Sequence, residues 1–274
     1  MTTEEARLEQ RTQHGAYIEE EVMDNLEVIA RVKIRPGQLE GFKSQAAEIL
    51  RLTREKDTHT LRCDWFINEG GTECEVHELF PGEQGLIEHK VNTMAATAVL
   101  FRDYAFGHHA TIYGKVSQNF IDLVTERMGP PAVFAFTQGL DSPASVPGGV
   151  MGHLEVIARL NVRPGQLEGF TTQVAEMLRL TREKDTQTLR YDWFLNQDET
   201  ECEVHEAYLS QEGLIEHNQH VVAVRDALFR DCAFDHRMSV YGEISQQLSD
   251  LFNKHAGGVS KFSLVQGLDQ AAPV

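Results

Sequence analysis

The sequence predicts an α+β fold made twice over, and three observations carry that prediction. Residues 26–141 align with residues 154–269 at a constant offset of 128 and without a gap, with about 65 of 116 positions identical. Within each copy, stretches of period 2 and of helical period follow one another in the same order. In both copies the strands carry one apolar and one mixed face. A repeat this long has the size of a small domain, well outside the range of solenoid repeats.

Each copy opens on LEVIAR, a strand that ends at Arg35-Pro36-Gly37 and again at Arg163-Pro164-Gly165. A helix follows, because Leu39, Phe42, Ala46, Ile49 and Leu50, like Leu167, Phe170, Val174, Met177 and Leu178, recur at helical spacing. TLRCDWFIN and TECEVHELF are two strands joined by the turn residues Glu69-Gly70-Gly71. Residues 83–104 read as one or two helices, ATIYGKV as a fourth strand, SQNFIDLVTERM as a short helix and AVFAFTQGL as a last strand. The order β-α-β-β-α-β, with a helix and a strand added, is a ferredoxin-like unit.

The strand faces predict how two such units combine. In the first copy one face carries Val28, Ala30, Val32, Cys63, Trp65, Cys74, Val76, Phe80 and Ile112, and this apolar face receives the helices. The other carries Ile29, Arg31, Arg62, Asp64, Phe66, Glu73, Glu75, His77 and Tyr113, and the second copy repeats the pattern. A wholly polar face would meet solvent and a wholly apolar one a core. A mixed face in two covalently joined copies predicts that the sheets cover each other, so the expected architecture is two tandem ferredoxin-like α/β-barrel units forming an intramolecular pseudodimer. The expected boundaries are an acidic extension at 1–25, unit one at 26–141, a Pro/Gly/Ser-rich linker at 142–153 and unit two at 154–270.

Composition narrows the function classes. The net charge of −17 repels nucleic acid and anionic membranes. Apolar runs of about eight residues fall far short of the roughly 20 that span a bilayer. The chain is therefore expected to be soluble and cytoplasmic, without a nucleic-acid or membrane partner. Cys63, Cys74, Cys202 and Cys232 lack the paired spacing of a zinc site and read as buried thiols. Glu75 and His77 share a strand face, but two ligands are short of the three or four that zinc or iron requires. No phosphate-cradling glycine motif and no haem-attachment motif occurs. The expectation is no metal and no cofactor.

With these residues in view, the chain resembles the antibiotic biosynthesis monooxygenase family of dimeric α/β barrels. The carriers are the opening strand with its Pro-Gly turn, ARVKIRPGQLEGF and ARLNVRPGQLEGF; the hairpin LRCDWF or LRYDWF into EVHELF or EVHEAY; and the helix containing GLIEH. The resemblance implies a substrate pocket between sheet and helices in each unit. It also implies pairing of two units, here supplied by one chain, with further homo-oligomerisation open. Members of the family include oxygenases that act on polycyclic phenols or quinols without metal or flavin, while relatives on the same fold degrade haem or isomerise. One departure stands out: many members carry a second histidine five residues after the helical one, where this chain has Met94 and Val222.

The candidate catalytic residues are His89 and His217, in the unchanged GLIEH blocks, and Glu78 and Glu206, on the otherwise apolar strand face. A histidine titrates near 6.5, suited to taking a phenolic proton, and the glutamate could orient it or act as an acid. The plainer alternatives are a half-exposed helical histidine and a structural carboxylate. Trp65 and Trp193 offer a flat wall and one N–H to an aromatic ligand, or are simply core. His77, His205, Tyr113 and Tyr241, on the mixed face, are candidates to line a polar substrate cavity; an ion-pair network between the sheets is the competing reading. His108, His109 and His236 could line a pocket mouth.

The function expected from this set is a cofactor-independent monooxygenase or related oxidoreductase. Its partners are a flat phenolic, quinol or polyketide-like aromatic substrate and dioxygen. The alternatives are a cyclase or isomerase using the same base without oxygen, and a non-catalytic small-molecule-binding protein.

Overall fold

A computed structural model describes residues 25–140, 153–255 and 258–268. The expected acidic extension and linker fall outside these residues, apart from Asn25 and His153. The first unit runs β1 (Leu26–Ile34), α1 (Leu39–Lys56), β2 (Arg62–Asn68), β3 (Glu73–Phe80), α2 (Glu83–Val99), β4 (Ala105–Tyr113), α3 (Gln118–Met128) and β5 (Ala132–Gly139). The second repeats it as β6 (Leu154–Val162), α4 (Leu167–Lys184), β7 (Thr188–Asn196), β8 (Glu201–Tyr208), α5 (Gln211–Asp231), β9 (Ala233–Tyr241), α6 (Gln246–His255) and β10 (Val259–Gln266). After α2 the chain widens into a π turn at Leu100–Tyr104, whereas α5 stays α-helical to Asp231. Gly37 and Gly165 hold φ of +76° and +75° in the turns after β1 and β6, a region that favours glycine.

The ten strands close into a barrel in the order β1-β3-β2-β10-β9-β6-β8-β7-β5-β4. Within each unit the ferredoxin-like order is kept. The last strand of each unit pairs with both units. β5 lies parallel to β4 for only three residue pairs, Thr111↔Ala132 to Tyr113↔Phe134, then runs on antiparallel to β7 of the other unit. β10 likewise lies parallel to β9 for four residue pairs, Val259↔Met238 to Phe262↔Tyr241, and runs antiparallel to β2 of the other unit. An edge strand presents unpaired N–H and C=O groups; the exposed edges of β2 and β7 are each satisfied by the other unit's last strand.

Period 2 sorts the side chains into two compartments. Outside the barrel, Val28, Val32, Trp65 and Val76 pack under the helices, with Phe42, Ile49 and Leu50 of α1 against them, and the second unit repeats this core. Inside it, Ile29, Phe66, Tyr113, Phe134, Ile157, Phe194, Tyr241 and Phe262 form one cluster drawn from both units. Among the described residues no helix is long and apolar enough to cross a membrane.

Candidate functional site

Two chemically distinct places emerge, one on each face of the strands. The inner face holds a ring of charge. Arg31 lies 3.4 Å from Glu75 and 3.1 Å from Glu203, and Arg159 lies 3.4 Å from Glu75 and 3.2 Å from Glu203. The Tyr113 hydroxyl donates to Glu203 and the Tyr241 hydroxyl to Glu75, both at 2.7 Å. His205 packs 4.4 Å from the Tyr113 ring and His77 4.4 Å from the Tyr241 ring. Further ion pairs cross the boundary from Arg62 to Glu155 and from Arg190 to Glu27.

A cavity of about 320 Å³ opens here, lined by Glu27, Arg62, Tyr113, Glu155, Arg190 and His205. His77, His205, Tyr113 and Tyr241 thus sit in the ion-pair network between the sheets, not with the helical histidines. The alternation of side chains along a strand puts them on the opposite face from Trp65, Glu78, Trp193 and Glu206.

The outer face brings the remaining candidates together. Cys63 opposes Glu78 across β2 and β3, and Tyr191 opposes Glu206 across β7 and β8. On α2, Leu86, His89, Thr93 and Ala96 form the buried stripe, and on α5 Leu214, His217, Val221 and Leu228. The imidazoles are therefore turned onto the strands, at 2% and 3% exposure, and are not the half-exposed surface groups of the plainer reading. Each is oriented by an aspartate that sequence reasoning missed. Nδ1 of His89 lies 2.7 Å from Asp57, at the end of α1, and Nδ1 of His217 lies 2.7 Å from Asp185, at the end of α4. The available signal was that both aspartates fall in the unchanged block LRLTREKDT.

Beyond that shared pair the sites differ. In the first unit, Nε2 of His89 lies 3.0 Å from Glu78, and the Lys90 ammonium donates to both Glu78 oxygens at 3.0 Å. Burial alone would raise the Glu78 carboxyl; the Lys90 charge and the His89 contact outweigh it and hold it at about 2. The sign follows: this carboxylate contributes stability that is present above the ordinary carboxylate range and lost as pH falls toward about 2. The thermal midpoint of Glu78→Gln is accordingly expected below that of the parent at pH 6, with the gap narrowing by pH 3, as calorimetry would measure.

In the second unit, Glu206 instead accepts from the Tyr208 hydroxyl at 2.6 Å, and burial pushes its carboxyl up. Asp185 takes a second imidazole, His220, at 2.6 Å. Tyr191 stands edge-on to His217 at 4.5 Å.

His217, Glu206, Tyr191 and Trp193 line a cavity of about 970 Å³ between sheet and helices, together with the apolar Met177, Leu248 and Phe252. Arg163, Arg225 and His236 add polar groups to its wall. The His236 imidazole is held down at about 4 by burial and by the Arg225 charge. Trp193 presents an indole Nε1–H with no hydrogen-bond partner among the described residues, a donor available to a ligand oxygen.

One set of donors could hold a cation: Sγ of Cys63, a Glu78 oxygen and a His89 nitrogen lie within 4.8 Å of one another. The Lys90 ammonium already engages that glutamate, and the second unit has Tyr191 in place of Cys63.

Residues 154–227 match the antibiotic biosynthesis monooxygenase family. No curated protein matches the chain. Among solved structures, a candidate monooxygenase from Fusobacterium nucleatum subsp. nucleatum is 9% identical, with 91% of this chain and 96% of that one covered at a TM-score of 0.60. A candidate monooxygenase from Lactobacillus acidophilus is 11% identical, with 78% and 91% covered at 0.51. An anthrone oxidase-like protein is 8% identical, with 91% and 97% covered at 0.50. These likenesses are of fold. Over residues 154–227 of its second unit, the chain is similar to the antibiotic biosynthesis monooxygenase family.

Proposed function

We propose that this chain is a monooxygenase acting on a flat phenolic, quinol or polyketide-like aromatic compound. The observation that carries the reading is the 970 Å³ cavity in which an aspartate-oriented histidine, a carboxyl with raised pKa and an unpaired indole N–H share one wall. Such a pocket is large enough for a polycyclic ring system and mostly apolar, with few convergent polar groups.

In this reading His217 takes the phenolic proton on Nε2, and Asp185 stabilises the imidazolium that forms. Trp193 donates to the resulting oxyanion and Tyr191 walls the ring. Glu206, whose carboxyl burial pushes up, supplies a proton to the reduced oxygen. An electron-rich phenolate is itself the reductant of dioxygen. One oxygen atom replaces a ring hydrogen as a carbonyl, the other leaves as water, and the substrate supplies all four electrons. The chain then has to bind, deprotonate and exclude water. Oxygen uptake measured over a panel of mono-, bi- and tricyclic phenols tests the reading. Uptake stoichiometric with quinone formation supports it, whereas rearrangement or tight binding without uptake overturns it.

We also propose that residues 26–141 and 154–270 are two units that do within one chain what two chains do in a dimeric barrel. The crossing of β5 onto β7 and of β10 onto β2 supports this. Residues 23–142 expressed alone are expected to form a dimer, each copy lending its last strand to the other's β2 edge. Light scattering that shows a stable monomer at micromolar concentration counts against it.

A further inference from the structure

We propose that the two units are not two active sites: the second alone is catalytic, and in the first unit Asp57, Glu78 and Lys90 lock the corresponding histidine as a doubly protonated, structural imidazolium. The inference rests on the monooxygenase reading only for the word catalytic; the lock itself stands on geometry.

An ionised carboxylate can only accept hydrogen bonds. Both nitrogens of His89 face carboxylate oxygens, Nδ1 toward Asp57 at 2.7 Å and Nε2 toward Glu78 at 3.0 Å. Asp57 also accepts from Asn92 at 2.8 Å and from Thr60 at 2.8 Å, and Glu78 accepts twice from Lys90. With every neighbour donating to them, both carboxylates are ionised, so both imidazole nitrogens must carry protons. An imidazole in that state has no lone pair left with which to take a proton from a substrate.

The second unit keeps Asp185 and Glu206 but differs at the residues that hold the glutamate against the histidine. Asn218 replaces Lys90; its side chain donates to the Leu214 carbonyl at 2.8 Å and accepts from Arg225 at 2.5 Å. Tyr208 replaces Phe80, and its hydroxyl draws Glu206 away. Tyr191 replaces Cys63 and packs its ring on His217. Among the described residues no hydrogen bond engages Nε2 of His217, whose Nδ1 proton is committed to Asp185. That leaves a basic Nε2 on the cavity wall. The same GLIEH helix is therefore used twice, once as a base and once as a buried cation that ties α2 to α1 and β3.

The test uses the full chain labelled with ¹⁵N-histidine, with His89 and His217 resonances assigned through H89Q and H217Q. Long-range ¹H–¹⁵N correlation at pH 7.5 is expected to show both nitrogens of His89 protonated and His217 neutral with a bare Nε2. In E78Q, where the amide can donate to Nε2, the second proton of His89 is expected to leave. A neutral His89 in the parent overturns the lock.

Turnover gives the second arm. With two equivalent sites, His217→Gln would leave about half of the parent rate; with one, it lowers turnover by about 10²-fold or more. Retention of half the rate overturns the single-site assignment even if the lock is seen. If the parent oxidises no phenol, the monooxygenase reading fails while the protonation measurement still decides the lock.

Discussion

Replacing His217 by alanine is expected to lower the turnover of a phenolic substrate by about 10²- to 10⁴-fold, the range a positioned general base contributes. The loss should fall on kcat, because the imidazole acts on the proton in transit while Trp193, Met177 and Phe252 do most of the holding. The fold should survive. Asp185 keeps donors in His220 and Thr188, at 2.6 and 2.7 Å, so no carboxylate is left bare. Asp185→Ala removes the orienter of His217 together with the acceptor of His220 and Thr188, but it leaves the base in place and is expected to cost less turnover than His217→Ala. Wild-type turnover in His217→Ala would make the imidazole a wall of the cavity and nothing more.

The histidine was legible in the sequence, and its partner was not. GLIEH is unchanged between copies, and helical spacing from Leu214 turns residue 217 onto the sheet. Asp185 lies 32 positions away at the end of α4, and only the packing of α4 beside α5 brings the two together. The sequence offers each glutamate as an orienter of its histidine, as an acid or as a structural carboxylate. Glu78 does approach His89, but Glu206 turns to Tyr208, because one ring hydroxyl two residues along the strand competes for it. Lys90 carried no signal beyond charge; its role needs the distance to Glu78, which no periodicity encodes.

At the level of the fold the strand faces were legible and the strand partners were not. Alternation alone separates Val28, Ala30 and Val32 from Ile29 and Arg31, and the two sets fall outside and inside the barrel as the pattern requires. Which edge AVFAFTQGL joins depends instead on which edges are left open once all the other strands have paired. The π turn at Leu100–Tyr104 has no visible cause either, since LFRDY in the first copy and LFRDC in the second differ at one position.

The barrel's inner ring carries the largest expected loss of stability. Removing Glu203 leaves Arg31 and Arg159 facing Glu75 alone, three charges where four had balanced, and leaves the Tyr113 hydroxyl without its acceptor. Burial would raise the Glu203 carboxyl, and the two arginines outweigh it, holding it below the usual carboxylate range. Breaking a buried ion pair from one side costs about 3–5 kcal/mol. For a chain of this size that is a fall in Tm of roughly 6–20 °C.

The cost should vary little with salt, because the side chains of Glu75 and Glu203 are only 8% and 9% exposed. Arg31→Met with Glu203→Met removes a whole pair and leaves Arg159 balanced by Glu75. The double variant is therefore expected to recover more than half of what Glu203→Ala loses, as a double-mutant cycle by calorimetry would measure. A fall of less than about 3 °C for Glu203→Ala would mean that the apolar rings around it, Tyr113, Phe194, Tyr241 and Phe66, hold the two sheets together without help from the charges.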